Sequence, residues 1–420
     1  MRLELITRHA TRVSQWSAIA LAVSIPVSTA LDNVFLAVTL AAWALSGRIV
    51  ETIKLTLKNK VLWCPIILFG ALALGTLYGA TPLREAFSHL WKYADLLFIP
   101  LFALAFRESD TRVKALHAFA ITLAVIIVLS CLLRLGILPR LPLFASDGVS
   151  PTVFKLKVTH SFLVAFSAFL FAWLGRNTAN PRLRLVWYGF ALLAAINVLF
   201  VVKGATGYVV LIALFLLWGA ERISQRNAKR AILLMAGIAT ALILIPSPFQ
   251  ERLKLTQKEI QLWRADTPAA ISTSAGLRME FYKNTLDIIA ADPLTGVGTG
   301  GFPQAYAQQV KYSDRFQTHN PHNEFLNVAA QIGIIGMLVL MAMFWLQWRS
   351  APKLATPMEQ SLARALVLTL VCGCMVNSLL LDHTEGLFYA WLSGLLYSSL
   401  KYGLSENLPA NTLKKSLAQP

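Results

Sequence analysis

Two histidines, two asparagines and a glutamate fall within six residues, His319-Asn320-Pro321-His322-Asn323-Glu324, at the lip of a long apolar run. Imidazole titrates near neutral pH, so either histidine can serve as a base or donate a hydrogen bond to an oxyanion. Pro321 lies between them, and the spacing predicts a turn with a helix starting near residue 322. The neighbouring acids, Glu324 and Asp314, complete no familiar ligand pattern, so no metal site and no cofactor are expected. Read alone, the stretch is also compatible with a histidine that merely caps a helix.

The elements that must position these groups are membrane helices. Of the 420 residues, 56% are hydrophobic and 14% charged, and the mean hydropathy is +0.59. Soluble domains carry roughly a quarter charged residues, so the fold class is all-α and polytopic. Runs near 14–30, 33–47, 61–79, 94–106, 115–136, 158–175, 185–202, 207–220, 231–246, 325–348, 361–381 and 385–400 give about 12 transmembrane helices, the second, fourth and eighth being short or crowded. The first is read as a membrane helix rather than a removed signal peptide. With a cytoplasmic N-terminus, most of the 38 Lys and Arg fall in short cytoplasmic loops, as positive-inside bias requires, and both termini face the cytoplasm. The same bias accounts for the net charge of +17 without nucleic acid. Cys64, Cys131, Cys372 and Cys374 all lie in or beside apolar runs and read as free thiols.

This topology divides the chain into 1–246, nine spans with short loops; 247–324, one large helical outer loop; and 325–420, three spans and a cytoplasmic tail. Within the loop, Glu251–Ala265 alternates apolar and charged residues as an amphipathic helix does, with Trp263 able to dip into the membrane interface. Thr267–Gly276 reads as a flexible link, and a second helix over about Leu277–Ala291 is stopped by Asp292-Pro293. Gly296-Val297-Gly298-Thr299-Gly300-Gly301 follows a helix rather than a strand, which excludes a dinucleotide loop and favours a tight turn pressed against substrate or the membrane domain. Outer basic residues are not needed for orientation and are candidates for binding an anion; they include Arg140, Lys155, Lys203 and Arg278. Asp382-His383-Thr384-Glu385 lies at the outer turn between the last two spans, where it can face the compartment of His322. Ala329, Ala330, Gly333 and Gly336 give the intervening helix a small-residue packing face.

His322-Asn323, nine residues, then Gly333-Ile334-Ile335-Gly336 and Val339 resemble the pattern of bacterial O-antigen ligases, a superfamily shared with O-antigen polymerases and one class of protein O-oligosaccharyltransferases. Arg278, followed by Asp292-Pro293-Leu294-Thr295-Gly296-Val297-Gly298 and Phe302, is similar to the arginine and Pro-Leu-x-Gly-x-Gly stretch of that family. Where such proteins often carry a Ser-Arg-Gly-like element, this chain reads Val202-Lys203-Gly204, so Lys203 stands near the place of the missing arginine.

The resemblance implies an inverting, metal-independent glycosyltransferase of the Gram-negative inner membrane with its active site facing the periplasm. The donor would be a glycan on undecaprenyl pyrophosphate, and the acceptor a sugar of lipid A–core. His322 would be the base or acceptor-orienting residue; Arg278, supported by Lys203, Arg140 or Lys155, would neutralise the pyrophosphate. His319, Asn323, Asp382 and His383 would orient base or sugars. Within the superfamily, a polymerase or protein O-oligosaccharyltransferase would use the same donor with another acceptor; the latter tend to be longer, which favours the ligase. A transporter or lipid flippase is the rival from another class, but no internal repeat is visible.

Overall fold

Apolar helices that are hydrophobic on all sides have to be buried among others, and here that role falls to the last helix. The computed structural model describes residues 2–139, 150–202, 204–221, 237, 248–265, 273–311 and 316–400. Its helices are α1 (Arg2–Ser24), α2 (Thr29–Leu45), α3 (Ile49–Lys58), α4 (Lys60–Gly75), α5 (Leu83–Trp91), α6 (Ile99–Ala105), α7 (Ser109–Arg134), α8 (Lys157–Asn177), α9 (Pro181–Ile196) and α10 (Ala205–Ala220). After the segment 222–247 come α11 (Pro248–Arg264), α12 (Ser274–Ala291), α13 (Phe302–Gln309), α14 (Glu324–Ser350), α15 (Pro357–Cys374) and α16 (His383–Tyr397). No strand occurs among the described residues.

From Thr384 to Tyr397 every residue of α16 is buried. Phe388 stacks on Phe119 and meets Phe162 and Phe166 edge-on, while Trp391 packs against Phe106 and Phe119 and donates to the Ala18 carbonyl at 2.8 Å. Close approach to α6 needs Gly394, where a Cβ would stand 2.4 Å from Phe102 Cβ. Arg112 and Glu359, both buried, form an ion pair at 2.8 Å between α7 and α15, and Arg112 spends its remaining donors on the Phe106 and Arg107 carbonyls. Those extra bonds matter, because a buried pair offsets its desolvation only when its other polar atoms are also matched.

By length and composition, four described helices can cross a membrane, or five if α2 and α3, bent by 102°, count as one. α4, Ala94–Ala105 and α10 are apolar but shorter. Ala94–Phe98 is a 3-10 turn leading into α6, so the expected span at 94–106 is a broken segment packed against α16 and α4 rather than a lone crossing helix. Such a piece is tolerated at membrane depth where protein surrounds it. The expected span at 231–246 lies outside the described residues.

α14 departs most from its sequence pattern. Its apolar run is continuous, yet Ile332 and Gly333 leave helical geometry, Gly333 with φ +72°. The glycine run after α12 plugs this break: Val297 and Gly298 donate to the Ala330 and Gln331 carbonyls at 2.9 Å each, and Ile334 donates to the Pro293 carbonyl at 2.8 Å. Gly300 donates to Gln331 Oε1 at 2.9 Å, and Thr299 is bound to α4 through the Gly75 and Leu72 carbonyls. The small residues expected to serve helix packing therefore accept a loop, since a freed backbone must be hydrogen-bonded by something. A Cβ at Gly333 would stand 2.0 Å from the Leu294 carbonyl oxygen. Gly333→Ala should therefore lower the thermal unfolding midpoint in detergent, the left-handed backbone alone costing about 1–3 kcal/mol. Gly189→Ala, with nothing within 4 Å, should leave it unchanged; equal midpoints for the two variants would remove the seam as a source of stability.

Candidate active site

His322 precedes α14, and Asn323 is the cap: its side-chain oxygen accepts from Leu326 N at 3.1 Å, so the helix starts at Glu324, slightly later than the spacing predicts. His322 has φ +53° and is the one non-glycine residue with positive φ among the described residues. A bulky residue held in that region stores strain, which concentrates at sites where side-chain direction matters. Three contacts hold it. Its N–H donates to Asn320 Oδ1 at 2.9 Å, its ring stacks on Phe281 at 5.9 Å between centroids, and its Nδ1 lies 3.1 Å from Asn377 Oδ1. An amide oxygen only accepts, so this contact is a hydrogen bond when Nδ1 carries a proton.

Asn377 was not legible as a partner, because 55 residues separate it from His322; the available signal was a lone amide just past an apolar run. Its turn also clasps the neighbouring groups. The Met375 carbonyl accepts from Asn323 Nδ2 and from the Tyr282 hydroxyl, both at 3.1 Å, and Tyr282 reaches the His322 carbonyl at 3.2 Å. Phe281 and Tyr282 belong to α12, one turn beyond Arg278. Residues three and four apart share a helix face, so the same helix brings Arg278 to this corner. Thr273 caps α12 by accepting from Gly276 N, which starts the helix inside the expected flexible link; residues 266–272 lie outside the described residues.

Arg278 is half-buried and has no carboxylate at salt-bridge distance among the described residues. Burial lowers its guanidinium pKa below the ordinary value; Tyr282 and Glu259 pull it back up, and Arg252 pushes it further down. Guanidinium stays protonated regardless, leaving a poorly hydrated cation that suits an anionic ligand. Burial raises the Tyr282 phenol, which keeps it a donor.

The other expected site residues divide into two groups. Loss of hydration raises the Asp382 carboxyl although its surface remains exposed, while the charges of His322 and Lys92 pull it down. His319 is exposed and interacts with His89 of α5. Lys155 is buried in a separate polar cluster, donating to Thr384 Oγ1 at 2.9 Å and Thr29 Oγ1 at 3.1 Å with Asp32 at 3.7 Å. Burial lowers its ammonium pKa and Asp32 opposes the shift. His383 meets Asp95 at 3.8 Å beside that cluster. Arg140 and Lys203 lie outside the described residues. Beneath the site, the buried Glu324 carboxylate accepts from Tyr93 at 2.7 Å and from Leu380 N at 3.0 Å, tying α14 to the segments before α6 and α16. No three His, Cys, Asp or Glu side chains converge as a metal centre would require among the described residues.

Lys92, itself one of the outer basic residues expected as anion-binding candidates, follows α5, and His89, on α5, is a neighbour that spacing did not indicate. His89 is pushed down to about 4, first by burial and then by Lys92 and His319. Its folded value lies below the ordinary one, so the stability it contributes is full above about pH 6.5 and is lost as pH falls towards 4. Replacing it by glutamine should flatten the acid-side fall in unfolding temperature across that window, read by thermal ramps in detergent. An unchanged slope would take His89 out of the acid response.

Residues 190–341 match the family model described as O-antigen ligase. The match takes in Arg278, the glycine run, His322 and the break in α14. No curated protein matches the chain.

Proposed function

We propose that this member of the O-antigen ligase superfamily is a glycosyltransferase that moves an O-antigen glycan from undecaprenyl pyrophosphate to a sugar of lipid A–core at the periplasmic face of the inner membrane. In this reading 247–324 is a periplasmic loop between nine spans and three, and both termini are cytoplasmic. The observation that carries it is the fixed position of His322, at left-handed φ with Nδ1 3.1 Å from Asn377 Oδ1; in this reading the amide oxygen accepts a hydrogen bond from Nδ1–H, which leaves Nε2 to act as the base.

The steps follow from those groups. Nε2 removes the proton of an acceptor hydroxyl as its oxygen attacks the anomeric carbon. The bond from that carbon to the pyrophosphate oxygen breaks, and the charge left on the pyrophosphate is met by Arg278. A single displacement from the opposite face inverts the anomeric centre. Asp382, beside His322, stabilises the imidazolium formed. The α12 contacts through Phe281 and Tyr282 fix the distance between base and cation sides.

The test is transfer by purified protein supplied with undecaprenyl-pyrophosphate glycan and lipid A–core in the presence of EDTA. Wild type should transfer despite chelation. His322→Ala should lose roughly 10²–10⁴-fold in turnover, and Arg278→Ala roughly 10²–10³-fold, with Arg278→Lys intermediate because a single ammonium cannot reproduce the fork. Unaltered turnover in His322→Ala would remove it from the chemistry. Growth of the glycan on its lipid carrier, with lipid A–core untouched, would assign the protein to the polymerases instead.

A further inference from the structure

An amphipathic helix on a globular protein turns its apolar residues inward and its polar ones to water; α3 does the reverse. Its inner face is polar. Thr52 and Thr56 are buried there, and Thr52 accepts from Trp43 Nε1 at 2.9 Å. Asn59, just past the helix, is fully buried and donates to the Tyr397 carbonyl at 3.4 Å. The outer face is apolar: Ile49, Ile53 and Leu57 recur every fourth residue with Val50 beside them, and all four are exposed, Leu57 by 72%. Turning the helix over would break the bonds to Trp43 and Tyr397 and leave buried partners unmatched. The fold therefore holds an apolar face outward, and that face calls for an apolar phase.

The direction of α3 sets the depth at which it meets that phase. The helix is bent by 102° from α2 across Ser46-Gly47-Arg48, a turn that Gly47 makes at φ +66°. A helix nearly at right angles to a crossing one runs along the membrane surface, the placement of an interfacial helix. Its charge fits that surface. Lys54 and Lys58, one turn apart, are exposed along the edge of the apolar face. Glu51, the only acid of the helix, is taken by Arg48 at 2.7 Å and by Arg107. The two lysines have no carboxylate at ion-pair distance among the described residues, so their charge is left for a partner outside the protein.

We propose that α3 is an in-plane anchor for anionic phospholipid: Ile49, Val50, Ile53 and Leu57 enter the acyl region, and Lys54 and Lys58 meet phosphodiester headgroups at its edge. Lysine stems lie along apolar surface while their ammoniums stay at headgroup level, which is the division this face presents. In the topology proposed above, the helix sits in the cytoplasmic leaflet, on the side away from His322; the binding itself does not depend on the glycan-transfer reading. Through Asn59 the anchored helix also holds the C-terminal end of α16, so bound lipid stabilises the buried centre of the bundle from that side.

The experiment places p-benzoylphenylalanine at Leu57 of the full chain in nanodiscs of phosphatidylcholine with a minor share of phosphatidylglycerol, and reads the adducts by mass spectrometry. Irradiation should join position 57 to phospholipid, with phosphatidylglycerol over-represented roughly fivefold relative to the bilayer. Lys54→Gln with Lys58→Gln should return the adducts to within about twofold of the bilayer ratio, and so should high salt. Lys254→Gln with Lys258→Gln, two exposed lysines at the same spacing on α11, should leave the enrichment intact. Phosphatidylglycerol should also raise the thermal midpoint of wild type, and by less in the Lys54/Lys58 double variant. Three results would overturn the proposal: no phospholipid adduct at position 57, an enrichment that survives loss of both lysines, or adducts joining two copies of the chain.

Discussion

The structure depends on a break in one membrane helix. At Ile332–Gly333 the α14 ladder stops, and the backbone groups released there are taken up by residues 293–300. Unpaired amides inside a membrane cost several kcal/mol each, so break and loop stabilise each other and neither persists alone. The loop follows α12 directly, so anchoring it fixes the C-terminal end of the helix that carries Arg278, Phe281 and Tyr282. The same loop is bonded to α4 through Thr299 and packs under α5 through Gly300. One seam thereby joins α4, α5, α12 and α14, and Arg278 and His322 keep their spacing without a direct bond between them.

Around that seam, polar groups at the outer end of the bundle do two different jobs. Some are closed on each other. Glu324 is saturated by Tyr93 and Leu380 N, and Lys155 is shared among Thr29, Thr384 and Asp32, so these contribute to holding segments together. Others keep capacity to spare. Arg278 and Lys92 have no carboxylate at ion-pair distance among the described residues, and the ring of His322 is held by Phe281 and Asn377.

Much of this was legible in the chain because residue type and local spacing carried it. The helical class followed from apolar runs, the amphipathic α11 from alternation, the end of α12 from Asp292-Pro293, and the turn at His319–His322 from Pro321. The glycine run was legible as a close approach of backbone to the membrane domain, though its docking point was not. Gly333 looked like a packing residue because an apolar stretch gives no sign of where its hydrogen-bond ladder is interrupted; that depends on a loop some 40 residues earlier. Span counting suffered for a related reason. Pieces such as Ala94–Ala105 are sheltered by α16 and need neither full length nor unbroken geometry.

The partners of His322 were hidden by distance along the chain rather than by unusual chemistry. Asn377 and Tyr282 approach from 55 and 40 residues away. Spacing within one segment can nominate a base; it cannot say which of its nitrogens is free. Here a single amide oxygen bears on that, because an acceptor beside Nδ1 favours a proton there and a donor in its place would favour the opposite. The left-handed backbone of His322 has the same logic: the strain is tolerated because Asn320, Phe281 and Asn377 determine the ring's position from three sides. A histidine held this way loses little freedom when a ligand arrives, because the entropy of orienting its ring is already lost in folding.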